Sequence, residues 1–180
     1  MPLTIELPSQ KEQTAFNLRR WAELIQDPEM AKIQGKVETD RHGYVIMIPS
    51  AIGSHGGNQF ELGTVIKQHL PGGKVFVECP ISTSDGVKVP DVAWISHERL
   101  SQTSIDPCFS SAPEICVEVL SPSNTRREIA EKIALYFDAG AEEVWTCSPE
   151  GKMAFYLSPE GPAKTASRLC PGFPSQIETV

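Results

Sequence analysis

The stretch EICVEVLSPSNTRREIAEKIALYFDAGAEEVWTC, residues 114–147, decides the fold. EICVEVL (114–120) is a short apolar run bounded by Pro113 and Pro122, as suits a central strand buried on both faces. TRRE (125–128) then reads as a capping box: Thr125 caps the helix and Glu128 reaches back. Ile129, Ile133, Tyr136 and Phe137 form one apolar stripe, so a helix runs to about Ala139, and Gly140 closes it. EVWTC (143–147) is the next strand. Strand, helix and strand in this order predict a right-handed crossover between parallel neighbours, and hence an α/β fold with a mixed central sheet.

Outward from this unit, SQKE (9–12) reads as another capping box, followed by Leu18, Trp21 and Ile25 at helical spacing and a stop at Asp27-Pro28. Residues 33–38 and 44–48 read as two strands around the turn DRHG (40–43). A second helix is expected from Ser54, with Leu62, Val65, Ile66 and Leu70 on one face and PGG (71–73) ending it. KVFVEC (74–79) and VKVPDVAWI (87–95) read as strands flanking the turn SDG (84–86). A polar, irregular stretch over 97–112 holds one helical turn, and KMAFYL (152–157) is a last strand. The Pro- and Gly-containing tail from Ser158 is expected to lie along the surface, as an extended strand near its end. The chain thus reads as one domain: an N-terminal helix (1–30), a core (31–157) and a tail (158–180).

The 180 residues are 40% hydrophobic and 22% charged, ordinary values for a folded domain, and exclude a disordered or collagen-like chain. Sixteen Lys and Arg against 23 Asp and Glu give a formal net charge of −7, which excludes a broadly basic nucleic-acid or membrane-binding surface. It leaves room for a local site whose metal ions supply positive charge. No segment resembles a membrane helix or a signal peptide. Five widely spaced cysteines without a CxxC read as buried hydrophobes in a reducing cytoplasm.

Asp91 and Glu118 stand out because each carboxylate lies within a short apolar run, where burial is costly unless the group is paired or bound to a metal. On adjacent strands about 4.8 Å apart, the two could share one hard cation. The residues alone leave a second reading open: Asp91 ends a turn after Pro90, and Glu118 pairs with Arg126 or Arg127. Lys132 follows Glu128 by four residues, as in an ordinary surface pair. It also lies about 60° from Ile129 on a helical wheel, beside the buried stripe, from where its ammonium could reach the sheet edge.

GVKVPDVAWIS (86–96), EICVEVLSPSN (114–124), EKIALYFDAGAEEVW (131–145) and the upstream RHGYVIMIPSAIGSH (41–55) resemble the Uma2 family of PD-(D/E)xK-type, restriction-endonuclease-like proteins. The resemblance implies a mixed sheet flanked by helices, with the N-terminal helix and β-hairpin as an extension. It further implies a metal-dependent endonuclease acting on DNA, with Asp91, Glu118 and the Val119 backbone carbonyl holding Mg2+ or Mn2+. A dimer, common among such enzymes, would place two sites on two strands. The usual motif carries Lys two residues after Glu; here that residue is Leu120, so the catalytic lysine is expected to be Lys132. Lys88 ranks lower, since strand alternation turns it away from Asp91. His55 reads as a metal or phosphate neighbour or as a capping residue, and Glu78 as part of an acidic cluster or as a solvent-facing side chain. Arg126 and Arg127 read as phosphate contacts or as partners of nearby acids. Glu61 reads as solvated, and Trp21, Trp94 and Trp145 as core. Two other functions remain open: a binding or assembly module that has lost catalysis, favoured by Leu120 and the acidic charge, and a hydrolase of small phosphodiesters.

Overall fold

The computed structural model describes residues 7–48 and 53–179, and of Gly53 and Ser54 the backbone alone. The proposed start of the second helix at Ser54 therefore has no described side chain, and residues 49–52 of the upstream block lie outside the described residues.

Helix α1 (Gln10–Gln26) begins at Ser9 with the capping box complete, the Ser9 side chain accepting from the Glu12 amide. Strands β1 (Lys36–Thr39) and β2 (Val45–Ile48) form an antiparallel hairpin, a two-stranded sheet of its own. Helix α2 (Gly53–His69) leads to β3 (Gly73–Val77). A small hairpin of β4 (Ile81–Thr83) and β5 (Gly86–Lys88) follows, then β6 (Val92–Ser96) and the short α3 (His97–Gln102). Strand β7 (Ile115–Val119), helix α4 (Arg126–Asp138), β8 (Glu143–Cys147) and β9 (Met153–Tyr156) complete the chain.

The central sheet has five strands in the order β3-β6-β7-β8-β9. Only β7 and β8 pair in parallel, across α4; the other neighbours are antiparallel. This is the mixed, helix-flanked sheet expected from residues 114–147. Alternation along the strands sorts the two faces. Val92, Trp94, Ile115 and Val117 face Leu62 and Ile66 of α2, whereas Ala93, Ile95, Cys116 and Val144 face Ile133 and Tyr136 of α4. Trp21 and Leu24 of α1 pack with Val87, Val89 and Cys108 in a third cluster that ties α1 to the β4–β5 hairpin and the segment leading into β6. Trp94 and Trp145 are buried in the core with Trp21, and all five cysteines are buried and free.

Two expectations need correction. Residues 87–95 are not one strand: β5 stops at Lys88, and the central sheet takes up the chain again at Val92. Pro90 has no N–H to donate to a ladder, and the Val89 amide instead donates to Glu38 Oε1 at 3.0 Å. The tail lies along the surface only in part: it is mostly exposed and Gln176 bridges antiparallel to Lys152 near its end, but four of its residues are buried. Cys170, Phe173 and Ile177 are buried in the α2-side core, with the Phe173 ring tilted by 49° against that of Trp145, centroids 4.7 Å apart. Glu143 anchors this tail: it accepts from the amides of Arg168 and Leu169 and from the Ser167 hydroxyl, each at 2.8 Å.

Candidate active site

The break between β5 and β6 leaves Asp91 at the rim of the sheet, just before β6. Its neighbour across the rim is the end of β7, and Asp91 Oδ2 accepts the Val119 amide hydrogen at 2.7 Å. This bond fixes the carboxylate of one strand against the backbone of the next. The other oxygen, Oδ1, meets three groups from two further elements. Lys36 Nζ of β1 lies at 2.7 Å, Gln59 Nε2 of α2 at 3.0 Å, and His55 Nε2 of α2 at 3.3 Å. Burial by itself would raise the Asp91 carboxyl pKa. The His55 hydrogen bond, the Lys36 ammonium and the Val119 amide outweigh it and hold the group well below the usual carboxylate range.

Glu118 sits one residue before Val119 on the α4 face, 5% exposed. The Tyr136 hydroxyl donates to its Oε1 at 2.6 Å, and the Lys132 ammonium lies 3.2 Å from the same atom. Lys132 also lies 2.9 Å from Glu38 Oε1, so one ammonium bridges two buried acids. Burial pushes the Glu118 pKa up; Lys132 opposes this, and the negative charge of Asp91 adds to it. The charge of Asp91 is thus near enough to act on Glu118. Glu118 and Glu38 together drive the Lys132 pKa above the ordinary lysine value despite burial, so this side chain is a fixed positive charge.

Of the residues picked out in the sequence, Asp91, Glu118, Lys132 and His55 come together here. The Glu118–Lys132 pair replaces the alternative of a partner at Arg126 or Arg127. Both arginines are exposed at the start of α4, and Arg127 pairs with Glu131 at 2.7 Å. Glu78 lies just beyond the end of β3 and is exposed; its Oε1 is 3.4 Å from Gln59 Nε2, at the outer edge of the cluster. Its φ of +51° is unusual for a residue with a side chain and turns the chain off the strand at this rim. Lys88 points elsewhere, to the Thr39 carbonyl and Asp85. Glu61 is exposed.

Lys36, Glu38, Gln59 and Tyr136 belong to the site but were not picked out for it. Lys36 and Glu38 sit two apart on one strand, which places both on the same face. An opposite-charge pair around Val37 was the available signal.

The donor chemistry fits a hard divalent cation. Two buried carboxylates on neighbouring chain segments are the protein share that Mg2+ commonly receives, water and phosphate oxygens completing its shell. Among the described residues no group of three or more His, Cys, Asp or Glu is arranged to hold a metal, so any ion here would depend on that small set. Backbone N–H and C=O of one strand residue leave on the same side, so the Val119 amide bond to Asp91 brings the Val119 carbonyl to this edge as well.

Comparison with known proteins adds family and fold. The model of the Uma2 family, described as "Putative restriction endonuclease", matches residues 21–175. A crystal structure of "a putative nuclease belonging to DUF820" from Anabaena variabilis ATCC 29413 superposes with a TM-score of 0.60. It is 23% identical over 76% of this chain and 80% of that one, a likeness of fold. No curated protein matches the chain. Among the described residues no helix is long and apolar enough to cross a membrane.

Proposed function

Since the chain belongs to the Uma2 family, we propose that it is a metal-dependent endonuclease that hydrolyses phosphodiester bonds of DNA, with Asp91, Glu118 and the Val119 carbonyl holding Mg2+ or Mn2+. The observation that carries this reading is the approach of the two acids at one end of the sheet: Asp91 accepts from the amide of Val119, the residue after Glu118, and the Lys132 ammonium lies against Glu118. When bound, the ion would lower the pKa of a water molecule and offset charge on the scissile phosphate.

The chain's own residues do the rest. Val119 N–H, Gln59 and His55 fix the Asp91 carboxylate, so little reorganisation is needed during reaction. Tyr136 orients Glu118 from below. Lys132 stands in for the lysine absent at Leu120. Held protonated by two acids, it acts as a cation toward a developing phosphorane charge rather than as a base. Arg126 and Arg127, exposed at the start of α4, supply phosphate contacts outside the metal site. A net charge of −7 confines DNA binding to such a local patch, and a homodimer would double it. The five reduced cysteines suit the cytoplasm.

The test is Mn2+-dependent nicking of plasmid DNA by the parent chain and by Asp91→Ala and Glu118→Ala, with Mn2+ binding followed in parallel. Both variants should lose metal and cleavage together. Metal bound without cleavage of DNA, RNA or small phosphodiesters would favour a binding module. Cleavage of small phosphodiesters alone would favour the smaller substrate. Asp91→Ala binding Mn2+ like the parent would overturn the site.

A further inference from the structure

We infer that Lys36 is an exchangeable counter-ion: it is paired with Asp91 Oδ1 and must leave that oxygen before a divalent cation can take it. This rests on the proposed metal site and adds a residue of the N-terminal hairpin to its control.

The first ground is the crowding at Asp91 Oδ1. Three groups converge on this oxygen: Lys36 at 2.7 Å, Gln59 at 3.0 Å and His55 at 3.3 Å. Of these, Lys36 makes the closest approach and has an alternative in place, the Val89 carbonyl at 3.0 Å from the same Nζ. Lys36 can therefore yield Oδ1 and keep a hydrogen bond.

Charge is the second ground. With Lys36 in place, three carboxylates (Glu38, Asp91 and Glu118) face two ammonium groups, Lys36 and Lys132. Withdrawal of Lys36 would take one positive charge away from these acids, and an incoming divalent cation would replace it. Withdrawal of Lys132 would instead strip two buried acids at once, since it bridges Glu38 and Glu118. Lys36 contacts one carboxylate, against two for Lys132, and so is the less costly of the two to release.

Mounting is the third. Asp91, Glu118 and Val119 belong to the central sheet or its rim, whereas Lys36 stands on the separate two-stranded hairpin. Its flexible stem can swing without disturbing the ligand-bearing strands. The side chain is 13% exposed, against 3% for Asp91, so a path toward solvent exists.

Two measurements test this. In the unaltered protein, amine labelling with acetic anhydride, read by mass spectrometry, should show Lys36 protected without metal and labelled several-fold faster in saturating Mn2+, while Lys132 stays protected. Calorimetry should show Lys36→Met binding Mn2+ roughly tenfold or more tighter than the parent, as follows if the competent form is populated less than about a tenth of the time. Lys36→Arg, which keeps the competing charge, should stay near the parent. If the parent binds Mn2+ through Asp91 but Lys36 labelling does not change, this inference falls and the metal site stands. It falls in the same way if folded Lys36→Met binds no tighter than the parent. If neither parent nor Lys36→Met binds Mn2+, both fall together.

Discussion

The Lys132 ammonium lies 2.9 Å from Glu38 Oε1, joining the middle of α4 to the N-terminal hairpin. The same ammonium holds Glu118 at 3.2 Å, so hairpin, central sheet and helix meet at one charge. Glu38 is in turn held by the Val89 amide, at the point where the chain breaks between β5 and β6. The break and the bridge are one device: the backbone gap that places Asp91 at the rim also supplies the amide that orients the acid behind Lys132.

Replacing Lys132 should therefore cost stability as well as any activity. Lys132→Met leaves Glu38 and Glu118 buried without their shared cation, and breaking a buried pair from one side costs about 3–5 kcal/mol. Urea unfolding at neutral pH should show a loss in that range. Adding Glu118→Gln to Lys132→Met should recover part of it, because one uncompensated charge goes. A loss under about 1 kcal/mol would mean that the bridge is solvated, as surface pairs are.

Asp91 makes a distinct pH prediction. Its folded pKa lies below the ordinary 3.8, so its ionised form stabilises the fold above that value. The contribution is lost as the pH falls through 3.8 toward the lower folded value. Asp91→Asn should thus be less stable than the parent at neutral pH, and the gap should narrow as the pH drops below about 4. Glu118 runs the other way. Its raised folded pKa favours the folded state only while it is protonated, below the ordinary 4.5, and that advantage fades as the pH rises through the raised value. Urea midpoints of parent and Asp91→Asn between neutral and acid pH measure the gap; a constant gap would remove Asp91 as its source.

The sequence made the β7–α4–β8 unit legible because each part carried its own period: an apolar run, a capping box with a stripe, a second apolar run. Asp91 and Glu118 could be seen because a carboxylate inside such a run is anomalous, and Lys132 because it borders the stripe. Lys36 and Glu38 lie in a short strand of mixed polarity, where alternating charge is what an exposed hairpin would also show. Only their packing against β5 and the rim makes them part of the site. Gln59 was hidden for the same reason, a polar residue on a helix with no local oddity. The buried part of the tail carries no such signal, because its Pro and Gly residues read as loop. Cys170, Phe173 and Ile177 follow no period, and are buried through an irregular path that Glu143 holds in place.

Gly86 tests how far the hairpin's seating controls the site. It adopts φ +84°, and a Cβ there would lie 2.3 Å from the Asp40 carbonyl oxygen and 2.4 Å from that of Thr39. Both carbonyls follow directly on Glu38. Gly86→Ala must therefore strain its own backbone and push the hairpin away from β5, at a cost of about 2–3 kcal/mol. Because the hairpin carries Lys36 and Glu38, Mn2+ affinity should change in the surviving folded protein. Calorimetry after confirming the fold by circular dichroism checks this. An unchanged affinity together with the stability loss would show that the site tolerates hairpin movement.

Glu143 should behave in the opposite way, costing stability while leaving the site alone. It is fully buried, at the end of β8 away from Val119, and each of its oxygens accepts two hydrogen bonds. Oε1 takes the Arg168 and Leu169 amides; Oε2 takes the Ser167 hydroxyl and the Trp145 indole at 2.7 Å. Glu143→Gln turns one oxygen into a donor facing two donors, and hydrogen bonds to a charged group contribute about 1.5–3 kcal/mol each. A loss of roughly 3 kcal/mol is expected. Amides of Arg168 and Leu169 should lose hydrogen-exchange protection ahead of the sheet. The Cys170 thiol, buried beneath this segment, should become reactive toward a thiol reagent while Cys116 stays protected. Mn2+ affinity should match the parent's, because the bonds that hold the tail share no residue with those around Asp91 and Glu118; a weakened affinity would show that the tail and the metal site are coupled through β8.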